Sequence, residues 1–230
     1  MKLDDKERDI MISWMREYID ENCIHRVKPD EKPLPPIHRF HAPGGYTWLI
    51  VSRRALMNRR FLNYLGILFW DKFAEEYKQK KFQISGLETA SIPMMVAITM
   101  TGPLFDIDDL NCFYFRKKPK EYGLFQEIEG FFKPDVPVLV VDDFYNSRST
   151  YLKCKNKIEE LQLPLHDKAF AMIDKRMEVY KGENGVPDEI KGWRENFKKS
   201  LDGLEVVSLF QITDFVLEYE DWINHNKTKG

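Results

Sequence analysis

The sequence predicts an α/β fold with a mainly parallel, twisted sheet flanked by helices. Apolar runs of strand length alternate along the chain with longer segments whose apolar residues follow a helical period. Residues 136–141 (VPVLVV) are continuously apolar, which is typical of a strand buried on both faces of a parallel sheet. Strands that alternate with helices in this way form parallel sheets with helices on their faces.

Composition favours one globular protein and argues against several classes of function. The chain has 230 residues, of which 43% are hydrophobic, and a formal net charge of −2. We therefore expect no nucleic-acid partner, and no apolar run reaches the roughly 18 residues that span a membrane. The charged N-terminus lacks the apolar core of a signal peptide. Cys23, Cys112 and Cys154 have neither metal-ligand nor disulfide-framework spacing, so a reducing cytoplasm is expected.

The N-terminal half begins with an amphipathic helix predicted over residues 4–22. Residues 28–45 hold five prolines and two glycines, which predicts a loop or flap. We therefore place an N-terminal helix and flap, or hood, at 1–45 and a core domain at 46–230. The next predicted elements are a strand at 48–51, a helix at 55–77, a strand at 82–85 ended by Gly86, a helix after Pro93 and a strand at 112–116.

The C-terminal half continues the alternation around a polar segment. Residues 179–199 are polar and are predicted to form an exposed insertion in the core domain. The other predicted elements are the strand at 136–141, a helix at 149–162, strands at 169–173 and 204–210, and a final helix at 213–225.

Two adjacent acids, Asp142 and Asp143, stand at the carboxyl end of the predicted strand 136–141. Ligands of open α/β sheets bind beyond the carboxyl ends of the strands, close to helix N-termini that hold phosphates. The carboxylates could accept ribose hydroxyls or order a Mg²⁺ ion, and the polar loop after them could hold a phosphate. The alternative is that the two acids merely end a strand and begin a turn.

The segment 136–150 (VPVLVVDDFYNSRST) resembles the signature by which type I phosphoribosyltransferases bind 5-phosphoribosyl 1-pyrophosphate (PRPP). Other stretches resemble orotate phosphoribosyltransferase in particular, in that family's chain order and within residues 37–217. They are Arg53 to Met57, Ser85 to Pro93, Arg116 to Gly123 with the Ile-Glu-Gly at 128–130, Ile173 to Arg176, and Leu204 to Phe215.

The resemblance implies the type I phosphoribosyltransferase fold and transfer of phosphoribosyl from PRPP to a nucleobase-type acceptor, orotate or a relative, with release of pyrophosphate. It also implies Mg²⁺, bound at Asp142 and Asp143 directly or through water or PRPP, and a homodimer with shared active sites. Catalytic roles fall on Asp142, Asp143, Arg116, Lys117 and Lys120. PRPP-binding roles fall on Asn146, Ser147, Arg148, Ser149, Thr150, Glu88 and Thr89. Base-binding roles fall on Arg176, Tyr46 and Trp48.

The chain also departs from the family pattern. Arg148 stands where the phosphate loop of the family has a glycine, Tyr122 replaces the histidine of the mobile loop, and Ala90 replaces a common lysine. Two other functions therefore stay open. One is a non-catalytic regulatory protein that binds PRPP or a nucleotide, and the other is a phosphoribosyltransferase of a specialised pathway with a non-standard acceptor.

Overall fold

The computed structural model of the chain describes residues 1–34, 46–118, 127–146, 148–175 and 204–227. Several predictions fall outside the described residues, namely most of the flap, Lys120, Ser147, Arg176 and the insertion at 179–199. In the described part of the chain, no helix combines the length and the apolar character needed to cross a membrane.

The described residues form a mixed, mainly parallel sheet with helices on both faces, which confirms the predicted fold class. The helices are α1 (Asp5–Asn22), α2 (Ser52–Ala55), α3 (Arg59–Gln79), α4 (Ser91–Thr101), α5 (Ser149–Glu160) and α6 (Tyr219–Lys227). The strands are β1 (Ile24–Arg26), β2 (Trp48–Ile50), β3 (Gln83–Leu87), β4 (Cys112–Phe115), β5 (Ile128–Gly130), β6 (Val138–Tyr145), β7 (Leu165–Asp174) and β8 (Glu205–Gln211). The main sheet has the order β5-β4-β3-β6-β7-β8, in which only β5 runs antiparallel to its neighbour.

The predicted N-terminal helix is confirmed as α1, and a capping box begins it. The Asp4 carboxylate accepts a hydrogen bond from the backbone N–H of Glu7 at 2.7 Å, and the Glu7 carboxylate accepts one from the N–H of Asp4 at 3.1 Å. These two bonds satisfy amides that have no partner within the helix. Met15 and Ile19 are buried on the inner face of α1, so the helix is held by packing as well as by its cap.

The helix predicted at 55–77 is confirmed as α3 from Arg59 onwards, but its predicted start is wrong, because residues 52–55 form the separate short helix α2. Asn58 lies between them with an extended backbone, and its side chain accepts a hydrogen bond from the backbone N–H of Phe61 at 3.0 Å. This N-cap begins α3 afresh, because asparagine stabilises the exposed amides of a new helix better than it continues an old one.

Gly86 does not end β3, as the sequence suggested, but lies inside it. A β-carbon at this position would lie 2.4 Å from the β-carbon of Ser91 and 2.6 Å from the carbonyl oxygen of Val141. The glycine is therefore needed because α4 and β6 approach β3 closely there. The strand predicted at 136–141 likewise continues to Tyr145, so Asp142 and Asp143 lie within its last residues rather than after it.

Two smaller corrections concern the ends of the chain. The strand β1 was not predicted and pairs antiparallel with β2. The final helix, predicted to begin at residue 213, begins at Tyr219 after a short 3₁₀ turn at Ile212–Asp214. The carboxylate of Asp214 accepts a hydrogen bond from the N–H of Gln211 at 2.8 Å, which caps the turn instead of starting a longer helix.

The apolar core lies on both faces of the sheet. On one face, α3 and α4 pack against Leu139, Val141, Phe170 and Met172, and the rings of Phe69 and Phe170 meet edge to face with centroids 5.0 Å apart. On the other face, α5 covers Val138, Val140, Ala169 and Ala171. The strand β6 thus contributes buried residues to both layers, as its continuous apolar run predicts.

Helices α3 and α4 approach each other closely at Gly66. A β-carbon at this position would lie 2.4 Å from both the carbonyl oxygen of Ala97 and the hydroxyl oxygen of Thr101. We expect Gly66→Ala to lower the free energy of unfolding by about 1–3 kcal/mol in urea titration, because the helices must separate.

The exposed Asn63 of the same helix provides the control for this change. Asn63→Ala should leave the stability unchanged or raise it slightly, because alanine has the higher helix propensity. A Gly66→Ala protein as stable as wild type would show that the two helices do not pack as described.

Candidate functional site

Several predicted site residues lie along the edge of the sheet where the parallel strands end. Glu88 follows β3 and Arg116 follows β4, while Asp142 and Asp143 occupy the last half of β6. Lys175, which was not predicted, follows β7. Because β3, β4, β6 and β7 run parallel, their carboxyl ends lie along one edge, which is where ligands of open α/β sheets bind.

The two acids are held by hydrogen bonds from their own strand and from two other segments. The N–H of Asp143 donates to Asp142 Oδ1 at 3.0 Å, and the N–H of Phe144 donates to Asp143 Oδ1 at 3.1 Å. The Asp142 carboxyl also meets the hydroxyl of Thr150 at the start of α5. The hydroxyl of Ser52 donates to Asp143 Oδ2. The acid pair is therefore a fixed feature of the sheet edge.

Burial raises the pKa of Asp142 well above its usual range, and the neighbouring Asp143 carboxyl raises it further by its charge and by a hydrogen bond. Hydrogen bonds from the amide of Asp143 and the hydroxyl of Thr150 lower the pKa of Asp142 and offset part of this rise. The Asp142 carboxyl therefore binds a proton more readily than an exposed aspartate does.

A cavity of about 200 Å³ opens beside the acid pair. The predicted phosphate-loop residues that line it are Asn146, Arg148, Ser149 and Thr150, together with Asp142 and Asp143. Drug-sized ligands occupy about 300–1,000 Å³, so this cavity suits one part of a ligand, such as a phosphorylated sugar. The amides at the N-terminus of α5 adjoin it and favour an anion there.

Arg148 immediately precedes α5 with φ +61° and ψ +1°, in the left-handed region. This conformation favours glycine, which agrees with the glycine that the family has at the corresponding position. The backbone of the loop therefore keeps the conformation that a glycine would adopt, although the side chain is an arginine.

The structure brings Glu88, Arg116 and Lys117 together in a second group, separate from the acid pair. The backbone N–H of Lys117 donates to Glu88 Oε1 at 2.7 Å. The guanidinium of Arg116 lies 4.0 Å from Glu88 Oε2 and 3.5 Å from Glu129 Oε1. Arg116 and Lys117 line a cavity of about 340 Å³ with the exposed side of α5. Thr89 is exposed next to Glu88.

Trp48 belongs to a third group, which includes a cation that sequence reasoning missed. The ammonium of Lys175 lies 5.0 Å from the centroid of the Trp48 ring and 5.0 Å from that of Phe144, within the range of cation–π attraction. The sequence singled out Arg176 instead, which lies outside the described residues. Tyr46 is half-buried, its backbone pairs with Leu34, and burial raises the pKa of its hydroxyl.

Ser52 was also missed, because a lone serine in SRRA carries no signal of a role. Its contact with Asp143 spans 91 positions of the chain, and only the folded structure reveals it. For Lys175 a signal was available. A cation directly after the strand 165–174 stands at the same sheet edge as the acids, one position before the arginine that was chosen.

Comparisons with known proteins show which sequences and folds the chain is similar to. No family model matches the chain. The chain is 26% identical to orotate phosphoribosyltransferase of Methanocaldococcus jannaschii over 169 residues, which is 73% of this chain and 80% of the relative. It is 28% identical to that of Aquifex aeolicus over 131 residues, which is 57% of this chain and 62% of the relative.

The fold is similar to that of Mycobacterium tuberculosis orotate phosphoribosyltransferase, solved in complex with inorganic phosphate. The TM-score is 0.56 at 16% identity, over 89% of this chain and 90% of that one. The same protein in complex with PRPP gives 0.51 at 16% identity, over 92% of this chain and 93% of that one. The chain is therefore similar in sequence to orotate phosphoribosyltransferases and has the fold of a solved orotate phosphoribosyltransferase.

Proposed function

We propose that the chain transfers the 5-phosphoribosyl group of PRPP to a nucleobase-type acceptor, orotate or a relative. A ring nitrogen of the acceptor loses its proton and forms a bond to the anomeric carbon, and the bond from that carbon to pyrophosphate breaks, with its electron pair leaving on pyrophosphate. Pyrophosphate or water takes up the proton. The observation that carries this proposal is the acid pair beside a hydroxyl-lined cavity at the N-terminus of α5. The named relatives support it.

The acid pair and the loop that follows it bind different parts of the phosphoribosyl group. Ser149, Thr150 and the amides at the start of α5 bind the 5-phosphate, because a helix N-terminus attracts anions. Asp142 and Asp143 accept hydrogen bonds from the ribose hydroxyls. The transition state has oxocarbenium character, so negative carboxylates close to the ring stabilise its positive charge.

The second group of residues stabilises the leaving pyrophosphate. Arg116 and Lys117 follow β4 at the sheet edge and supply positive charge, with Lys120 completing the basic segment. Cations stabilise the charge that develops on pyrophosphate as its bond breaks. The ties of Glu88 to Arg116 and to the amide of Lys117 position these two residues beside the turn that follows β3.

The acid pair also fits a Mg²⁺ ion, provided that the substrate supplies most of the ligands. Three of the four carboxylate oxygens already accept a hydrogen bond from a backbone amide or from Ser52, which leaves part of their lone pairs for a metal or for its water. Mg²⁺ keeps several waters and favours phosphate oxygens. Bound with PRPP, it would neutralise the charge of the diphosphate.

Lys175 supports an acceptor that carries an anionic group. Its ammonium lies between the rings of Trp48 and Phe144, so an aromatic acceptor could contact the rings while a carboxylate pairs with the cation. This arrangement favours orotate or a related acid over a neutral base. Arg176 remains a candidate for the same contact.

A homodimer with shared active sites belongs to the same proposal. Val96 and Met100 of α4 and Leu104 of the following turn are exposed by 55%, 74% and 46%. Val96 and Met100 are four residues apart and share a face of the helix. A second copy of the chain would cover these apolar side chains.

The first test changes the acid pair. We expect Asp142→Asn with Asp143→Asn to lower the rate of pyrophosphate release by about 100-fold or more, because neutral amides stabilise neither the ribose hydroxyl contacts nor the positive charge of the transition state. Binding of PRPP with Mg²⁺ should weaken in calorimetry and in thermal shift. The exposed Asp135 provides the control, since Asp135→Asn should change neither quantity.

Unchanged turnover in the double variant would contradict the proposed function. Binding of PRPP by the wild-type chain without pyrophosphate release from any acceptor would instead support a regulatory binding protein. The left-handed Arg148 in the phosphate loop is the observation that favours this second function.

A second test concerns Arg148, which lines the cavity beside the acid pair. If its guanidinium binds a phosphate of PRPP, Arg148→Met should weaken PRPP binding by about 10- to 100-fold, since charge-assisted hydrogen bonds contribute about 1.5–3 kcal/mol. Arg148→Lys should restore part of the affinity. An Arg148→Gly protein that binds PRPP more tightly than wild type would show that the side chain blocks the phosphate.

A third test concerns Lys175 and the choice of acceptor. Lys175→Met should lower kcat/KM for orotate by about 10-fold or more, because it removes the cation that pairs with the carboxylate. The dissociation constant of PRPP should stay unchanged. Lys133→Met at an exposed position provides the control. Equal kcat/KM for orotate in the two variants would exclude Lys175 from acceptor binding.

A further inference from the structure

We propose that Ser52 is a positioning residue that orients the Asp143 carboxylate. Ser52 thereby connects the part of the site that binds the acceptor (the acceptor side) with the part that binds the phosphoribosyl group (the sugar side). The inference rests on the proposed function and deepens it. The segment formed by β2 and α2 is proposed above to contact the acceptor. The inference gives the same segment a second role, in PRPP binding.

Ser52 is the first residue of α2 and is only 5% exposed. A hydroxyl has a single proton to donate, and that of Ser52 goes to Asp143 Oδ2. The other carboxylate oxygen of Asp143 accepts the N–H of Phe144 at 3.1 Å. Among the described residues, one oxygen thus accepts a bond from its own strand and the other from α2, and the Asp142 carboxyl is a further neighbour on β6. The Ser52 bond restricts the rotation of the carboxylate from outside β6.

The acid pair is held from two sides by two hydroxyls. Thr150, at the start of α5, contacts Asp142 on the phosphate side. Ser52, two residues after β2, contacts Asp143 on the acceptor side. Losing either hydroxyl removes one restraint on a carboxylate, and a carboxylate that turns more easily binds ribose hydroxyls less well because its orientation must be restored on binding.

The Ser52 bond also closes a ring of contacts around the site. Trp48 lies four positions before Ser52 on the same segment, and its ring meets the ammonium of Lys175. Lys175 meets the ring of Phe144, whose N–H donates to Asp143. The ring runs from Ser52 through Asp143, Phe144, Lys175 and Trp48 back to Ser52. Both substrate sides of the site are therefore attached to the same three chain segments, which are β2 with α2, the end of β6 and the residue after β7.

A purely structural role for Ser52 predicts different behaviour. A buried hydroxyl that only satisfies a neighbour would stabilise the fold, and its loss would lower the stability without a selective effect on PRPP. A positioning role predicts a loss of PRPP affinity that exceeds the effect of an equally buried hydroxyl elsewhere. Thr101 is suitable for this comparison, because it is 3% exposed and its hydroxyl donates to the carbonyl oxygen of Ala97 at 2.8 Å.

The experiment compares Ser52→Ala, Ser52→Thr and Thr101→Ala in the full chain, with urea unfolding as the measure of stability. We expect Ser52→Ala to raise the dissociation constant and the KM of PRPP with Mg²⁺ by about 10-fold, as for loss of a hydrogen bond to a charged group. Ser52→Thr keeps the hydroxyl and should stay within about threefold of wild type. Thr101→Ala should lower the stability and leave PRPP binding unchanged.

A double-mutant cycle then tests whether Ser52 acts through Asp143. Adding Ser52→Ala to Asp143→Asn should change PRPP binding little, because the oriented carboxylate is already gone. If Ser52→Ala does not fold, Ser52→Cys carries the same expectation, since a thiol is similar in size and a weak donor.

Three outcomes would overturn the inference. One is wild-type PRPP affinity in folded Ser52→Ala, another is an equal loss in Ser52→Ala and Ser52→Thr, and the third is a full additional loss in the Asp143→Asn background. A wild-type chain that neither binds PRPP nor releases pyrophosphate overturns the proposed function itself. The first three outcomes, obtained with an active wild-type chain, leave the proposed function standing.

Discussion

Burial of β6 on both faces is the constraint on which the site depends. The strand lies between β3 and β7 in the sheet, and its residues Val138 to Val141 pack into the two apolar layers in turn. An apolar run of this kind is stable only when helices cover both of its sides. Its position fixes where Asp142 and Asp143 emerge, and the parallel direction of its neighbours brings Glu88 and Lys175 to the same edge.

At that edge of the sheet, two carboxyl groups lie where water is partly excluded. The carboxyls of Asp142 and Asp143 are half-buried, and such a pair is costly unless hydrogen bonds satisfy it. The chain supplies these bonds from a strand amide, from the first turn of α5 and from α2. Each donor also restricts the motion of a carboxylate, so the same bonds that make burial tolerable prepare the acids for a ligand.

Much of the fold and the centre of the site could be predicted from the sequence, because the signals are local. The run VPVLVV and the two acids after it stand within eight residues, and the hydroxyls of Ser149 and Thr150 follow at the start of α5. Asn58 was a readable signal as well, since asparagine favours helix N-caps. The contact of Ser52 with Asp143 and the need for glycine at position 86 could not be predicted, because both arise where distant segments meet. For Lys175 the local pattern pointed to the correct strand end, but attention went to the next residue, Arg176, which lies outside the described residues.

The ring of contacts through Trp48, Lys175, Phe144, Asp143 and Ser52 limits how such a protein can diverge. A change at Trp48 also disturbs the surroundings of Lys175 and, through Phe144, those of the two acids that we propose to bind the sugar. Acceptor choice and turnover are then not independent traits, and a lineage that adopts another base must alter several of these positions together. Substitutions found one at a time along this ring should therefore be rarer than coordinated sets.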